Sequence, residues 1–196
     1  MADLDQVRNA LKFFWVDRSR PVEIRLWQRP NLKGIEALDT RKNSNEIAFN
    51  GFFSDEEALL REVKGFDRSE ETVGIFIEMN PQKLGSHEAT NRIRRGCRAT
   101  KDQDIQHRHA LLIDVDPTRS EGFKKYSSTD AEKAQALRVL DHVIDLLNCQ
   151  GWPEPCKFDS GNGYHIIYRI DLPNEDESKT LIRAFLKALN RTIPEN

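Results

Sequence analysis

Two hydrophobic rhythms alternate along this chain. Val7, Leu11, Phe14 and Trp15 fall at helical spacing and predict a helix over residues 4–16. VEIRLW then alternates as a strand, a polar stretch over 31–45 reads as a loop or hairpin, and residues 47–53 form a second strand. Ser54 followed by Glu57 makes a capping box for a helix running to residue 63. A buried strand is expected over 73–79, a short helix over 86–95 and a strand over 110–116. Thr129 with Glu132 opens a long helix through 147, with Leu137, Leu140, Val143, Ile144 and Leu147 as its core stripe, and Gly151-Trp152-Pro153 ends it. Strand residues over 156–170 and a last helix over 176–190 complete the pattern. Strands and helices alternate as in an α/β (α+β) sandwich, an open sheet with helices on one face. The 196 residues suffice for one domain, with a small N-terminal α/β subdomain to about residue 70 and the larger part from about 71.

The candidate chemistry starts in LLIDVDP. In a strand, residues i and i+2 project from one face, so Asp114 and Asp116 stand together while Leu111, Ile113 and Val115 point the other way. Two adjacent carboxylates repel each other unless a cation lies between them, and hard oxygen ligands suit Mg²⁺ or Mn²⁺. A lone Asp-x-Asp also closes many ordinary strands. A second motif, DSGNGYH over 159–165, adds weight: its glycines let backbone N–H groups approach a phosphate, and Ser160 donates a further hydrogen bond. The strand YHIIYRID then sets Tyr164, Ile166, Tyr168 and Ile170 on one face and His165, Arg169 and Asp171, with Ile167, on the other. A His and an Arg above a carboxylate-held metal make a triphosphate clamp.

With these two motifs the chain resembles the archaeo-eukaryotic primase superfamily, particularly the primase-polymerase domains of phages, plasmids and integrated mobile elements. The segments FNGFFSDEEAL, GIFIEMNPQ, TKDQDIQHRHALLIDVDPTR and GWPEPCKFDSGNGYHIIYRIDLPN carry the resemblance, across most of residues 22–175. It implies an RRM-like catalytic core with an open mixed sheet, and template-directed primer synthesis on single-stranded DNA from nucleoside triphosphates. Asp114 and Asp116 would hold two divalent ions, Mg²⁺ or Mn²⁺. Ser160 and His165 would contact the incoming nucleotide's phosphates, with Asn162 and Arg169 as further candidates. A replicative helicase in cis or in trans is the implied partner. The family's third acidic motif, on a later strand, has no match here. Asp171 lies six residues beyond His165, about 20 Å along a strand, too far to serve. The expectation is therefore a chain cut before that strand, weakly active by itself, with Glu78 as the first acid to test in its place.

Composition narrows the setting. Charged residues are 32% and hydrophobic ones 38%, mean hydropathy is −0.67, and no apolar run approaches the ~18 residues of a membrane span. MADLD lacks the basic start of a signal peptide, so a cytoplasmic protein is expected. Cys97, Cys149 and Cys156 contain no Cys-x-x-Cys pair, which favours reduced thiols and disfavours zinc. A net charge of −2 puts any nucleic-acid footprint in a local cluster, Arg92, Arg94, Arg95, Arg98 and Lys101, with Arg92 and Arg95 on one side of the expected helix. Arg25 and Trp27 share a face of the first strand and are candidates to touch template, although an ordinary surface strand has the same pattern.

Parts of the sequence also fit three other classes. LLIDVDPT fits the Asp-x-Asp-x-Thr of haloacid-dehalogenase-like phosphatases, with Asp114 as nucleophile, but the motif comes late and lacks a downstream acidic pair. His107-Arg108-His109 offers the His-x-His of rolling-circle endonucleases, with a charged residue where a hydrophobic one is usual. A non-catalytic nucleic-acid- or nucleotide-binding module lacking the third carboxylate is the main alternative.

Overall fold

The computed structural model describes residues 3–29, 47–119 and 126–193. The polar stretch over 31–45 lies outside them. The chain divides into two compact units, Met1–His107 and Arg108–Asn196.

In the first unit, helix α1 (Leu4–Phe14) starts where the Asp3 carboxylate accepts from the Asp5 and Gln6 amides. Its Leu11 is fully buried, and Trp15 beyond it donates its indole N–H to the Arg20 carbonyl at 2.8 Å. Strands β1 (Val22–Gln28), β2 (Ile47–Phe53), β3 (Thr72–Ile77) and β4 (Arg94–Arg95) form a sheet in the order β3-β1-β2-β4, with every pairing antiparallel. Val22, Ile24 and Leu26 face α1 and helix α2 (Glu56–Asp67), with Phe53, Leu59, Leu60 and Val63 in the same core. The cap of α2 is Asp55, whose carboxylate receives the Glu57 and Ala58 amides, and not Ser54 as the spacing suggests. The amide of Ser54 is instead bound by Asn91 Oδ1 at 2.8 Å.

Three sequence expectations change here. Residues 86–95 form no helix. Thr90 and Asn91 both donate backbone N–H to the Phe52 carbonyl at 2.9 Å, Asn91 takes a φ of +50°, and the His87 ring stacks on Phe52 at 4.0 Å. That polar segment has no apolar stripe to bury, so contacts with β2 set its path. Strand β3 is only half buried, with Val73 45% and Phe76 56% exposed. It also pairs with β1, so the first unit runs through His107 and not merely to about residue 70.

The second unit holds β5 (His107–Val115, which begins at the last residue of the first), β6 (Cys156–Asp159) and β7 (Tyr164–Pro173) in the order β5-β7-β6. β6 and β7 are antiparallel, from Cys156 opposite Ile167 to Asp159 opposite Tyr164. The fold is thus mixed α and β with two sheets, and the strand expected over 73–79 pairs in the first of them and not with β5 and β7. Helices α3 (Asp130–Cys149) and α4 (Asp176–Thr192) bury Leu140, Val143, Ile144, Leu147 and Leu189 with Leu111, Ile113, Val115, Ile166 and Tyr168. The Thr129–Glu132 capping box forms as its spacing predicts. Leu137 is 41% exposed, and Ala136 takes the core position beside it. Trp152 stacks on Phe185 and meets Tyr168 edge-on, both at 5.0 Å between centroids. All three cysteines are free thiols, and among the described residues no helix is long and apolar enough to cross a membrane.

Candidate functional site

The alternation of LLIDVDP survives folding. Leu111, Ile113 and Val115 are buried, while Asp114 and Asp116 are exposed on the other side of the end of β5. Residues 160–163 connect β6 to β7 as a tight turn. Ser160 N–H donates to the Gly163 carbonyl at 3.1 Å, and Gly163 N–H returns to Ser160 Oγ at 3.0 Å. Gly161, at φ +89°, donates its N–H to Asp159 Oδ1 at 2.7 Å. Few residues other than glycine sit comfortably at that φ.

This turn is pressed against β5. A Cβ on Gly163 would collide with the Val115 carbonyl and lie 3.0 Å from Asp116 Oδ1. Two residues later His165 Nε2 stands 3.3 Å from Asp114 Oδ1, with the two side chains 36% and 54% exposed. The motifs, about forty-five residues apart in sequence, therefore share one surface.

Supporting groups lie around the turn that sequence reasoning did not single out. Lys133, in the first turns of α3, donates to both oxygens of Asp159 at 2.8 Å and lies 5.5 Å from the centre of the Tyr164 ring. The hydrogen bond holds the Lys133 ammonium above its usual range and the Asp159 carboxyl below its own. Asn162 Oδ1 accepts from the Ser128 amide at 3.2 Å, and Ser128 Oγ donates to the Asn162 carbonyl. Arg119 in turn donates to Ser128 Oγ at 3.0 Å. The available signal was the Lys at the start of a capped helix together with the Asp that opens DSGNG.

Ser160 and Asn162 stand at the turn as expected, but Ser160 Oγ accepts from Gly163 and Asn162 is tied to Ser128. Both therefore shape the loop before any ligand arrives. Arg169 lies four residues along β7 from His165, about 13 Å at strand rise, exposed and close enough to Cys156 to bear on its thiol. Asp171 is further along, with His109 Nε2 3.7 Å from its Oδ1. The basic cluster belongs to the first unit. Arg92, Arg94 and Arg95 are exposed, but the last two are neighbours on a strand and point to opposite sides, so the one-sided helical arrangement of Arg92 with Arg95 does not occur. Arg98 is engaged by both oxygens of Asp104 at 2.8 Å, and Lys101 is exposed. Arg25 is held by Glu23 and the Thr100 carbonyl. Glu78, the proposed substitute acid, accepts from Gln82 Nε2 at 2.6 Å within the first unit.

Asp114 and Asp116 offer exposed hard oxygens, a donor set that fits Mg²⁺ or Mn²⁺, with His165 beside them. Among the described residues, the three potential ligands whose atoms all close to within 4.8 Å are His107, His109 and Asp171, a group without Asp114 or Asp116. Comparison of the chain with protein-family models, curated proteins and solved structures found no match.

Proposed function

We propose that the Asp114–His165 surface is the nucleotide end of a DNA primase-polymerase site, a nucleotidyltransferase with an RRM-like core serving a replication protein of a phage or mobile element. The observation that carries the reading is the convergence of the two motifs, with His165 Nε2 3.3 Å from Asp114 and Gly163 against the Val115–Asp116 backbone. Asp114 and Asp116 would hold the divalent ions, whose chemistry there would be to offset the charge of the triphosphate and of the leaving pyrophosphate. His165 would donate an imidazole N–H to a phosphate oxygen, which would leave Asp114 to the metal. The turn held by Ser160, Asn162, Ser128 and Lys133 keeps His165 in place, so little rearrangement is needed on binding. The basic side chains Arg92, Arg94, Arg95 and Lys101 are the candidates for the template backbone. The test is primer synthesis by the purified chain on single-stranded DNA with Mn²⁺ and nucleoside triphosphates. Synthesis abolished by Asp114→Asn supports the assignment.

A second reading follows from the acids present. Two carboxylates and a histidine with no third acid matched by sequence suit a nucleotide-binding module without catalysis. Nucleotide binding that needs Asp114 and Mn²⁺, with no incorporation, would decide for it.

A further inference from the structure

On the face of the first sheet turned away from the helices, Glu23, Arg25 and Trp27 alternate along β1 with the core residues Val22, Ile24 and Leu26. Strand β3 adds Phe76 to this face, and Glu78 follows one residue beyond its end. Trp27 is paired with Gly74, which has no side chain, and the Phe76 ring leans over that glycine so closely that a Cβ there would lie 3.0 Å from its Cε2 and Cζ. Phe76 is 56% exposed, a large apolar ring left in the open at the wall of a cavity of about 500 Å³. Thr100 and Lys101 also line it.

We propose that this cavity is a subsite for a single unpaired nucleobase, stacked on Trp27 and Phe76 and read at its edge by Glu78. The cavity combines two things that a purely apolar ligand would waste. It has aromatic walls, which suit a flat ring of any base. It also has polar groups in its lining, where Glu23 is 2% exposed and fixed by Arg25 and the Thr100 amide, and where Glu78 holds Gln82 Nε2 at 2.6 Å on one carboxyl oxygen and leaves the other for a ligand. A base edge carries donors and acceptors side by side, the pattern a carboxyl group can meet in either protonation state. Burial, then the neighbouring Glu23 charge, pushes the Glu78 carboxyl up to about 7. Around neutrality it is therefore available both as donor and as acceptor. Arg25, Lys101 and Asp102 are the other charged groups lining the cavity, and Lys101 is the one suited to a phosphate attached to the base.

The subsite is built from residues of the first unit alone and does not depend on the reading given to the Asp114 surface. The experiment is titration of the full chain, in EDTA, with mononucleotides and with short single-stranded oligonucleotides, followed by tryptophan quenching and by anisotropy of labelled oligonucleotide. Quenching is expected with at least one of the two ligand forms. Binding by mononucleotides identifies a free nucleotide as sufficient, and binding by oligonucleotides alone, weakened in Lys101→Ala, identifies a strand. Phe76→Ala, which removes an exposed ring, is expected to weaken binding by about fivefold to a hundredfold. Glu78→Gln should change the preference among the four bases. No quenching by any base, or equal affinity in wild type and Phe76→Ala, overturns the proposal.

Discussion

His165 Nε2 lies 3.3 Å from Asp114 Oδ1, across two strands that the chain reaches fifty-one residues apart, 165 less 114. The imidazole lies within ion-pair distance of the carboxylate. A divalent ion at Asp114 would compete with it, so metal binding and the freedom of His165 to face a phosphate are linked.

Asp114→Asn and Asp116→Asn should each abolish Mn²⁺ binding at this surface while leaving the fold intact or slightly stabilised, because carboxylate repulsion is relieved. Calorimetric titration of the wild type and both variants is the measurement, with His109→Ala as a control for the His107, His109 and Asp171 group. If the control alone lost the ion, the metal would belong elsewhere.

His165→Ala should weaken nucleoside triphosphate binding more than single-stranded DNA binding. Arg94→Glu with Arg95→Glu should do the reverse and flatten the salt dependence of DNA binding, since both side chains are exposed. Parallel affinity measurements over a salt series decide whether the two roles are separate.

Gly163→Ala should destabilise the second unit by about 1–3 kcal/mol, since the new methyl meets the backbone of β5 and not a flexible side chain. The turn would be forced away from Asp116, so nucleotide binding should fall with stability. Urea denaturation with and without nucleotide measures both, and an unchanged midpoint would rule out the close contact.

Asp55→Ala should cost about 1 kcal/mol through loss of the α2 cap, whereas Ser54→Ala should cost less, because it removes only the exposed 3.4 Å hydrogen bond that Asn91 Nδ2 donates to the Ser54 hydroxyl and keeps the Ser54 amide on Asn91 Oδ1. Thermal midpoints of the two variants compare them directly.

The pH dependence centres on Glu78. Its carboxyl is pushed from its ordinary value of 4.5 to about 7, first by burial. Between those values the folded protein holds a proton that the unfolded chain has released. Its contribution to stability is therefore fully present at low pH and falls as pH rises from about 4.5 through 7. Glu78→Gln should lack that fall and be more stable than the wild type at pH 8 by roughly 1–3 kcal/mol. Urea midpoints at pH 5 and pH 8 provide the measurement, and parallel pH curves for both proteins would place the proton elsewhere.

Local rules were the most legible part of the sequence. The Thr129–Glu132 box and the alternation around Asp114 are each decided within a few residues, and both hold in the fold. The cap of α2 was misplaced by one position because Asn91, thirty-seven residues away, takes the Ser54 amide. The helix expected over 86–95 failed for a similar reason, since the Phe52 carbonyl gives the Thr90 and Asn91 amides a partner that local propensity cannot foresee. On α3 a shift of one residue, about 100° around the helix, exchanges Leu137 for Ala136 in the core. Division into two sheets depends on which strands meet, a non-local choice. At the candidate site, strand period put His165 and Asp114 on faces able to meet, but Lys133 reaches Asp159 across twenty-six positions, so the capped helix start and the Asp that opens DSGNG each had to be read with the other.

The three tryptophans also divide the molecule optically. Trp15 and Trp27 belong to the first unit, and Trp152 is the sole indole of the second, lying flat on Phe185 of α4 and edge-on to Tyr168 of β7. In a protein carrying Trp15→Phe and Trp27→Phe, all remaining indole emission would come from the junction of α4 with the sheet that bears Asp114. Unfolding traces of that protein and of one carrying Trp152→Phe would overlay if the two units melt as one cooperative block, and separate if each has its own transition.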